Sequence, residues 1–252
     1  MRSLLKLSKK LLTIIALLLC LTWAFPVQAA TKNEAKLEEQ VLEIIRKNPE
    51  VIIETLQNYQ QQQQSSLQQI RELFVQALKS NPKFIIGDSP TQGATDLNIV
   101  LLEFSDYQCP FCAKAHETLK TFMAKHGDEV TLAYKHFPLN SIHPQAFPAA
   151  QAAYAAQQQG KFWEYHDQLF QNQDKLSEDF YVKLAKNLNL DIEKFNQDRE
   201  SASSNLEKDI EMASRLGLSG TPFFIMNDQA FSGAIELTEL EQILARIKEG
   251  NR

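Results

Sequence analysis

Asn98-Ile99-Val100-Leu101-Leu102-Glu103-Phe104 runs into Ser105-Asp106-Tyr107-Gln108 and then into Cys109-Pro110-Phe111-Cys112. The first segment is almost continuously apolar, the pattern of a strand buried on both faces. The second is short and polar, a loop. From Cys109 onward Cys112, Ala115, Leu119, Phe122 and Met123 fall on one side of a helix. Pro110 suits its first turn, where the missing N–H is no loss. A second strand is expected over Val130 to Phe137, stopped by Pro138. The stretch therefore reads as a strand-helix-strand unit with two cysteines at the first turn of its helix.

Working toward the C-terminus, residues Ala146 to Leu216 show only helical patterning. Phe162, Tyr165, Leu169 and Phe170 form one apolar face, Phe180, Leu184 and Leu188 another, and Ile210, Ala213 and Leu216 a third, closed by Gly217. Trp163 reads as part of the core of this block. Gly220-Thr221-Pro222 then breaks the pattern. Phe223 to Met226 is a strand, Asn227-Asp228 a turn, and Ala230 to Ser232 the return strand. Thr238 with Glu241 reads as a capping box for a last helix through Lys248.

Working toward the N-terminus, Gly87 to Asp96 is rich in Gly, Pro, Asp and Thr and reads as a linker. Residues 30–86 read as a helical extension. Leu37, Val41, Ile44 and Ile45 have helical spacing, and Asn48-Pro49 reads as a cap followed by a first-turn proline. A long amphipathic helix should follow, with Ile52, Leu56, Tyr59, Gln63, Leu67, Ile70, Phe74 and Ala77 on one stripe. That stripe must be covered, either by the chain's own domain or by another copy.

The first 29 residues have the pattern of a secretory signal peptide: Arg2, Lys6, Lys9 and Lys10, then the uncharged Leu11 to Phe25, then a small-residue site at Val27-Gln28-Ala29-Ala30. An uncleaved membrane anchor is the alternative, but a spanning helix wants about 20 apolar residues and this run is shorter. A lipid anchor at Cys20 is disfavoured by the bulky Leu19 before it. Over its 252 residues the chain carries a net charge of -5, which makes it a poor candidate for non-specific nucleic-acid binding.

The chain has three cysteines, and Cys20 leaves with the signal. Cys109 and Cys112 close too small a loop to stabilise a large domain. One Cys-x-x-Cys in an exported chain argues for redox chemistry. At a helix N-terminus the free N–H groups and the helix dipole favour a thiolate. Cys109 would sit there, exposed, as the attacking sulfur. Cys112, one turn on and buried, would resolve the mixed disulfide. The competing reading is zinc, with His116 as a third ligand. Structural zinc usually takes four ligands, and there is no second cysteine pair. His126, His136, His143 and His166 read as ordinary surface or core residues. No metal and no prosthetic group is implied; the Cys109-Cys112 disulfide is itself the redox group.

Three motifs in order resemble the DsbA-like branch of the thioredoxin superfamily. They are Leu102 to Cys112, then Lys161-Phe162-Trp163-Glu164-Tyr165-His166, then Gly220-Thr221-Pro222-Phe223-Phe224. The resemblance covers the chain from about Asn98 to its C-terminus. It implies an α/β, thioredoxin-like fold over residues 87–252, with a helical insertion at about 146–216 and the helical extension in front. It implies that Pro222 is a cis-proline facing the disulfide and that the backbone of Thr221 faces a substrate strand, with Pro110 and Phe111 completing the substrate-contacting set. It also implies that Glu103 lies beneath the disulfide and moves a proton to or from Cys112; a solvent-facing Glu103 is the alternative. Asp106 would tune the loop before Cys109.

Gln40 to Val51 is similar to the helical extension of ScsC-like members, where such segments drive oligomers. The expected activity is thiol-disulfide exchange in the periplasm or another extracytoplasmic compartment. Its expected partners are reduced or misfolded exported proteins, a membrane redox protein that resets the dithiol, and a second copy of the chain. Oxidase, isomerase or reductase, a non-enzymatic peptide-binding or chaperone module, and a metal-handling protein all remain open.

Overall fold

The computed structural model describes residues 36–250, so the signal-peptide reading at 1–29 lies outside the described residues. Among the described residues no helix is long and apolar enough to cross a membrane. The chain divides into two compact units, Met1–Gln64 and Ser65–Arg252.

In the first unit residues 36–47 form helix α1. Asn48 closes it by donating its side-chain amide to Ile44 O at 2.7 Å, and Pro49 opens helix α2, Pro49–Ser80. The periodicity runs through the glutamines as expected. Within this unit the apolar residues stay exposed, among them Ile44, Ile53, Leu56 and Tyr59.

The second unit is built on a five-stranded sheet of order β1-β3-β2-β4-β5. Its strands are β1 (Thr91–Gly93), β2 (Val100–Ser105), β3 (Thr131–His136), β4 (Phe223–Met226) and β5 (Gln229–Ser232). β2 and β3 are parallel, joined through helix α4 (Pro110–His126); the other pairings are antiparallel. The stretch expected to be a linker, 87–96, contains β1, which pairs with β3 through Thr91↔Ala133. A short edge strand tolerates the polar and glycine-rich composition that suggested a linker.

Both faces of β2 are covered, which explains its unbroken apolar run. On one face Leu101 and Phe224 pack with Leu119 and Phe122 of α4 and with Leu240 and Ile243 of α10 (Leu237–Gly250). On the other face Val100, Leu102 and Phe104 meet Leu78 of α2, Ile85 and Ile86 of α3 (Pro82–Ile86), and Ala213 of α9 (Ser203–Arg215). Burial of side chains this large is worth about 1.5–3 kcal/mol each. Within this unit, from Ser65 onward, the α2 stripe is partly covered. Phe74, Ala77 and Leu78 belong to this core, and Leu67 reaches Gly217, which sits just past α9 at φ +66°.

The insertion is α5 (Ala146–Gln157), α6 (Phe162–Gln171), α7 (Glu178–Asn187), α8 (Ile192–Ser201) and α9. The buried face of Phe162, Tyr165, Leu169 and Phe170 packs with Leu184 and the alanines of α5. Trp163 packs on two core clusters and donates its indole N–H to Thr91 O at 3.0 Å. α9 is held to the sheet by a buried ion pair, Lys135 Nζ to Asp209 Oδ1 at 3.0 Å, while Asp209 Oδ2 accepts the N–H of His136 at 2.9 Å. The Thr238-Glu241 capping box does not form. α10 begins at Leu237, Glu236 O accepts the N–H groups of Glu239 and Leu240, and Glu241 pairs with Lys125 of α4 at 3.0 Å. The packing of α10 on α4 draws that carboxylate sideways.

Candidate active site

Strand β2 leads through Asp106 to Gln108 into Cys109, which is extended (φ -74°, ψ 122°) and caps α4, with Pro110 in the first turn. Asp106 is buried and organises the loop. Its Oδ1 accepts the N–H of Gln108 at 2.7 Å, and its Oδ2 accepts the N–H of Leu139 at 2.9 Å and meets His143 Nδ1 at 2.7 Å. Gln173, in the turn between α6 and α7, donates to Tyr107 O at 2.7 Å and to Cys109 O at 2.9 Å. The insertion thereby grips the cysteine loop, a role that nothing in the local sequence around Gln173 announces.

Both cysteines are free thiols. Cys112 is fully buried, and Cys109 is only 4% exposed. The expected exposed Cys109 is thus corrected. Its sulfur lies beneath the Thr221-Pro222 segment, 3.4 Å from Thr221 O, which accepts from it only in the protonated form. The exposed rim is Pro110 and Phe111, the latter 61% exposed. The Thr221-Pro222 peptide bond is cis. The structure therefore brings Cys109, Cys112, Thr221 and Pro222 together, although Thr221 and Pro222 come from the far side of the insertion.

The two thiols titrate in opposite directions. Cys109 is lowered from 9.0 to about 5, first by the hydrogen bond from the Cys112 thiol and also by the Thr221 hydroxyl and the N–H groups of Cys112 and Phe111; burial opposes this. Cys112 is raised, first by burial and then by giving its proton to Cys109. At neutral pH these shifts favour an anion on Cys109 and a proton on Cys112.

Glu103 is 1% exposed, between Tyr134 on β3 and Phe224 on β4. This rules out the solvent-facing alternative. Burial raises its carboxyl from 4.5 to about 7, and the nearby Ser105 hydroxyl offsets this only in part. Neither Glu103 Oε1 nor Ser105 Oγ has a well-formed hydrogen bond among the described residues. Ser105 stands on the same face of β2 as Glu103, and its hydroxyl also lowers Cys112. It is a polar group near both carboxyl and sulfur, and sequence reasoning passed over it as a loop residue; the strict alternation along β2 was the signal available.

The scattered histidines also converge. His116, His136 and His166 are buried. His166 Nδ1 meets Tyr107 Oη at 3.1 Å, Tyr107 stacks on Tyr134 at 5.4 Å, and His116 lies edge-on to His166 at 5.0 Å. Burial lowers all three, His116 to about 4 and His136 to about 3, so the rings are neutral. Among the described residues His116 groups with His166 and Asp167 as possible metal ligands.

A family model described as Thioredoxin matches residues 86–246. A thioredoxin-like oxidoreductase from Silicibacter pomeroyi DSS-3 aligns over 68% of this chain and 99% of its own, at TM-score 0.61 and 27% identity. Proteus mirabilis ScsC in a transitional conformation aligns over 86% of this chain and 97% of its own, at TM-score 0.58 and 25% identity. BdbD from Bacillus subtilis, at TM-score 0.57 and 24% identity, covers 64% of this chain and 94% of its own and shares the fold. Among curated proteins, the Na(+)/H(+) antiporter NhaA 1 of Mycolicibacterium vanbaalenii is 36% identical over 157 residues, which is 61% of this chain and 25% of the antiporter. The chain spans about a quarter of the length of the curated relatives it matches. The antiporter name therefore describes proteins most of whose length has no counterpart here. With its sheet order, its cysteine pair at the head of α4 and its match over residues 86–246, the chain belongs to the thioredoxin family and carries the fold of the DsbA-like oxidoreductases.

Proposed function

We propose that this protein is an exported thiol-disulfide oxidoreductase that exchanges disulfides with folding proteins through Cys109 and Cys112. The observation that carries this reading is the opposed titration of the two thiols at the start of α4, one lowered and one raised. A stabilised Cys109 thiolate favours the reduced pair and is a good leaving group from the mixed disulfide, so the Cys109–Cys112 disulfide is readily given away.

In the oxidising direction a substrate thiolate attacks Cys109 Sγ. The Cys109–Cys112 bond breaks, and Cys112 leaves and takes a proton from Glu103. A second substrate thiolate then attacks the substrate sulfur of the mixed disulfide and releases Cys109 as the stabilised thiolate. Two electrons pass from the substrate dithiol to the protein. The pair is its own redox group, and the exchange needs no other cofactor. Thr221, Pro222, Pro110 and Phe111 border Cys109 and offer a substrate strand backbone and apolar contact. A leader at 1–29 would deliver the chain to the periplasm, where a membrane redox protein would reset the dithiol.

Cys109→Ser is expected to abolish oxidative refolding of a reduced substrate by the mature chain. Undiminished transfer would overturn the reading. A second reading, disulfide isomerase, is favoured by the exposed apolar residues of α1 and early α2, which suit self-association and several active sites in one assembly. Equilibration against glutathione beside a scrambled-substrate assay separates the two: an oxidising pair without reshuffling is an oxidase, and the reverse is an isomerase.

A further inference from the structure

A cavity of about 340 Å3 opens beside Glu103 between α4 and α6. His116 of α4 and His166 and Asp167 of α6 lie in its wall and can each offer one ligand atom, all within 4.8 Å of one another. His116 Nε2 is buried without a hydrogen-bond partner and stands 3.4 Å from Asp167 Oδ1, too poorly aligned for a hydrogen bond. His166 Nδ1 meets Tyr107 Oη at 3.1 Å; in the tautomer whose Nδ1–H donates to that oxygen, Nε2 is left for a ligand. An imidazole held through its second nitrogen is the usual outer-shell arrangement of a metal-binding histidine. The exchange chemistry uses none of these three residues.

From this geometry we propose that His116, His166 and Asp167 bind a divalent transition-metal ion of the zinc class. Two imidazoles and one carboxylate are ligands for borderline ions and suit neither calcium nor magnesium, which take oxygen donors. Three protein ligands beside a cavity leave a coordination position for water or a small anion. Leu119, Met123, Leu132 and Trp163 form the apolar part of the wall. Lys120 Nζ, 3.7 Å from Asp167 Oδ2, is the nearest competing cation. Its side chain is 42% exposed and free to swing outward, and it faces the carboxylate oxygen that does not approach His116.

The inference is independent of the exchange reading, because it can be tested with the catalytic sulfurs tied in their disulfide. The full chain, oxidised at Cys109 and Cys112, is titrated with Co2+ and followed by visible absorption, then competed with Zn2+. One equivalent is expected to bind with a d–d spectrum that lacks thiolate charge transfer. Asp167→Asn, at a half-exposed position compatible with folding, is expected to weaken binding at least about tenfold, the scale of losing a site partner. His116→Gln is expected to abolish it, with circular dichroism confirming the fold. An oxidised chain that binds no Co2+, or affinity unchanged in Asp167→Asn, overturns the proposal. So does binding that appears only after reduction, which assigns the ion to the cysteines.

Discussion

At the scale of single residues, the site rests on three groups whose titration is displaced by their surroundings. For Cys109 the hydrogen bond from Cys112 is the largest cause of the lowering. A depressed thiol contributes stability to the reduced fold that is complete above the unfolded value and lost as pH falls through the folded one. Alkylation of Cys109 should therefore level off above an inflection near 5, where an ordinary thiol keeps accelerating toward 9.0. Cys112→Ala should move that inflection upward, and an unmoved inflection would contradict the assigned cause. Glu103 has the opposite sign. Its carboxyl rises from 4.5 to about 7 on folding, so the folded state holds the extra proton and loses stability as pH rises through that window. At about 1.36 kcal/mol per pH unit the loss is about 3 kcal/mol. Glu103→Gln should match the wild type in stability below about pH 4 and exceed it by up to about 3 kcal/mol at pH 8, read from urea midpoints. The same variant should lose the step in exchange rate near pH 7. A constant stability difference across pH would show that the carboxyl does not titrate inside the fold.

At the scale of elements, α9 and the sheet are tied by charges that have little contact with water. The side chain of Lys135 is 4% exposed and that of Asp209 11%. Lys135 also donates to Ile86 O at 3.0 Å, so one lysine holds α3, β3 and α9. Burial raises Asp209, and the Lys135 charge opposes it. Removing one partner of such a pair leaves a charge stranded. Asp209→Ala should cost about 3–5 kcal/mol in chemical denaturation, and replacing both residues with apolar ones should recover much of it. A loss below about 1 kcal/mol would mean that water reaches the lysine. Element identity was legible wherever the apolar period was strong, as in β2, α4 and α2. The edge strand β1 was not, because one short strand pairing on a single side carries almost no pattern. The α10 cap was misread because Glu241 finds Lys125 of another helix, a choice that local sequence does not encode.

At the scale of the whole molecule, the apolar stripe of α2 is shared between two situations. Phe74, Ala77 and Leu78 lie in the sheet-backed core, whereas Ile52, Leu56 and Tyr59 are exposed. Exposed apolar residues in series on one helix are a surface for association. The mature chain should therefore self-associate in light scattering, and a chain beginning near the sheet domain should not. A monomer at high concentration would remove the oligomer and, with it, the argument for an isomerase.

By itself the amino-acid order determined the strand-helix-strand unit, the redox pair at its turn and the helical character of the extension. These follow from local periodicity and from cysteine chemistry at a helix end, which neighbours in sequence settle among themselves. Only the tertiary structure decided that Cys109 lies under Thr221, that the Ser105 hydroxyl comes near both Glu103 and Cys112, and that His116, His166 and Asp167 share one cavity. Those juxtapositions depend on how the insertion folds back over the sheet. Side chains far apart along the chain acquire their chemistry from burial and proximity, and neither is written in the spacing of residues.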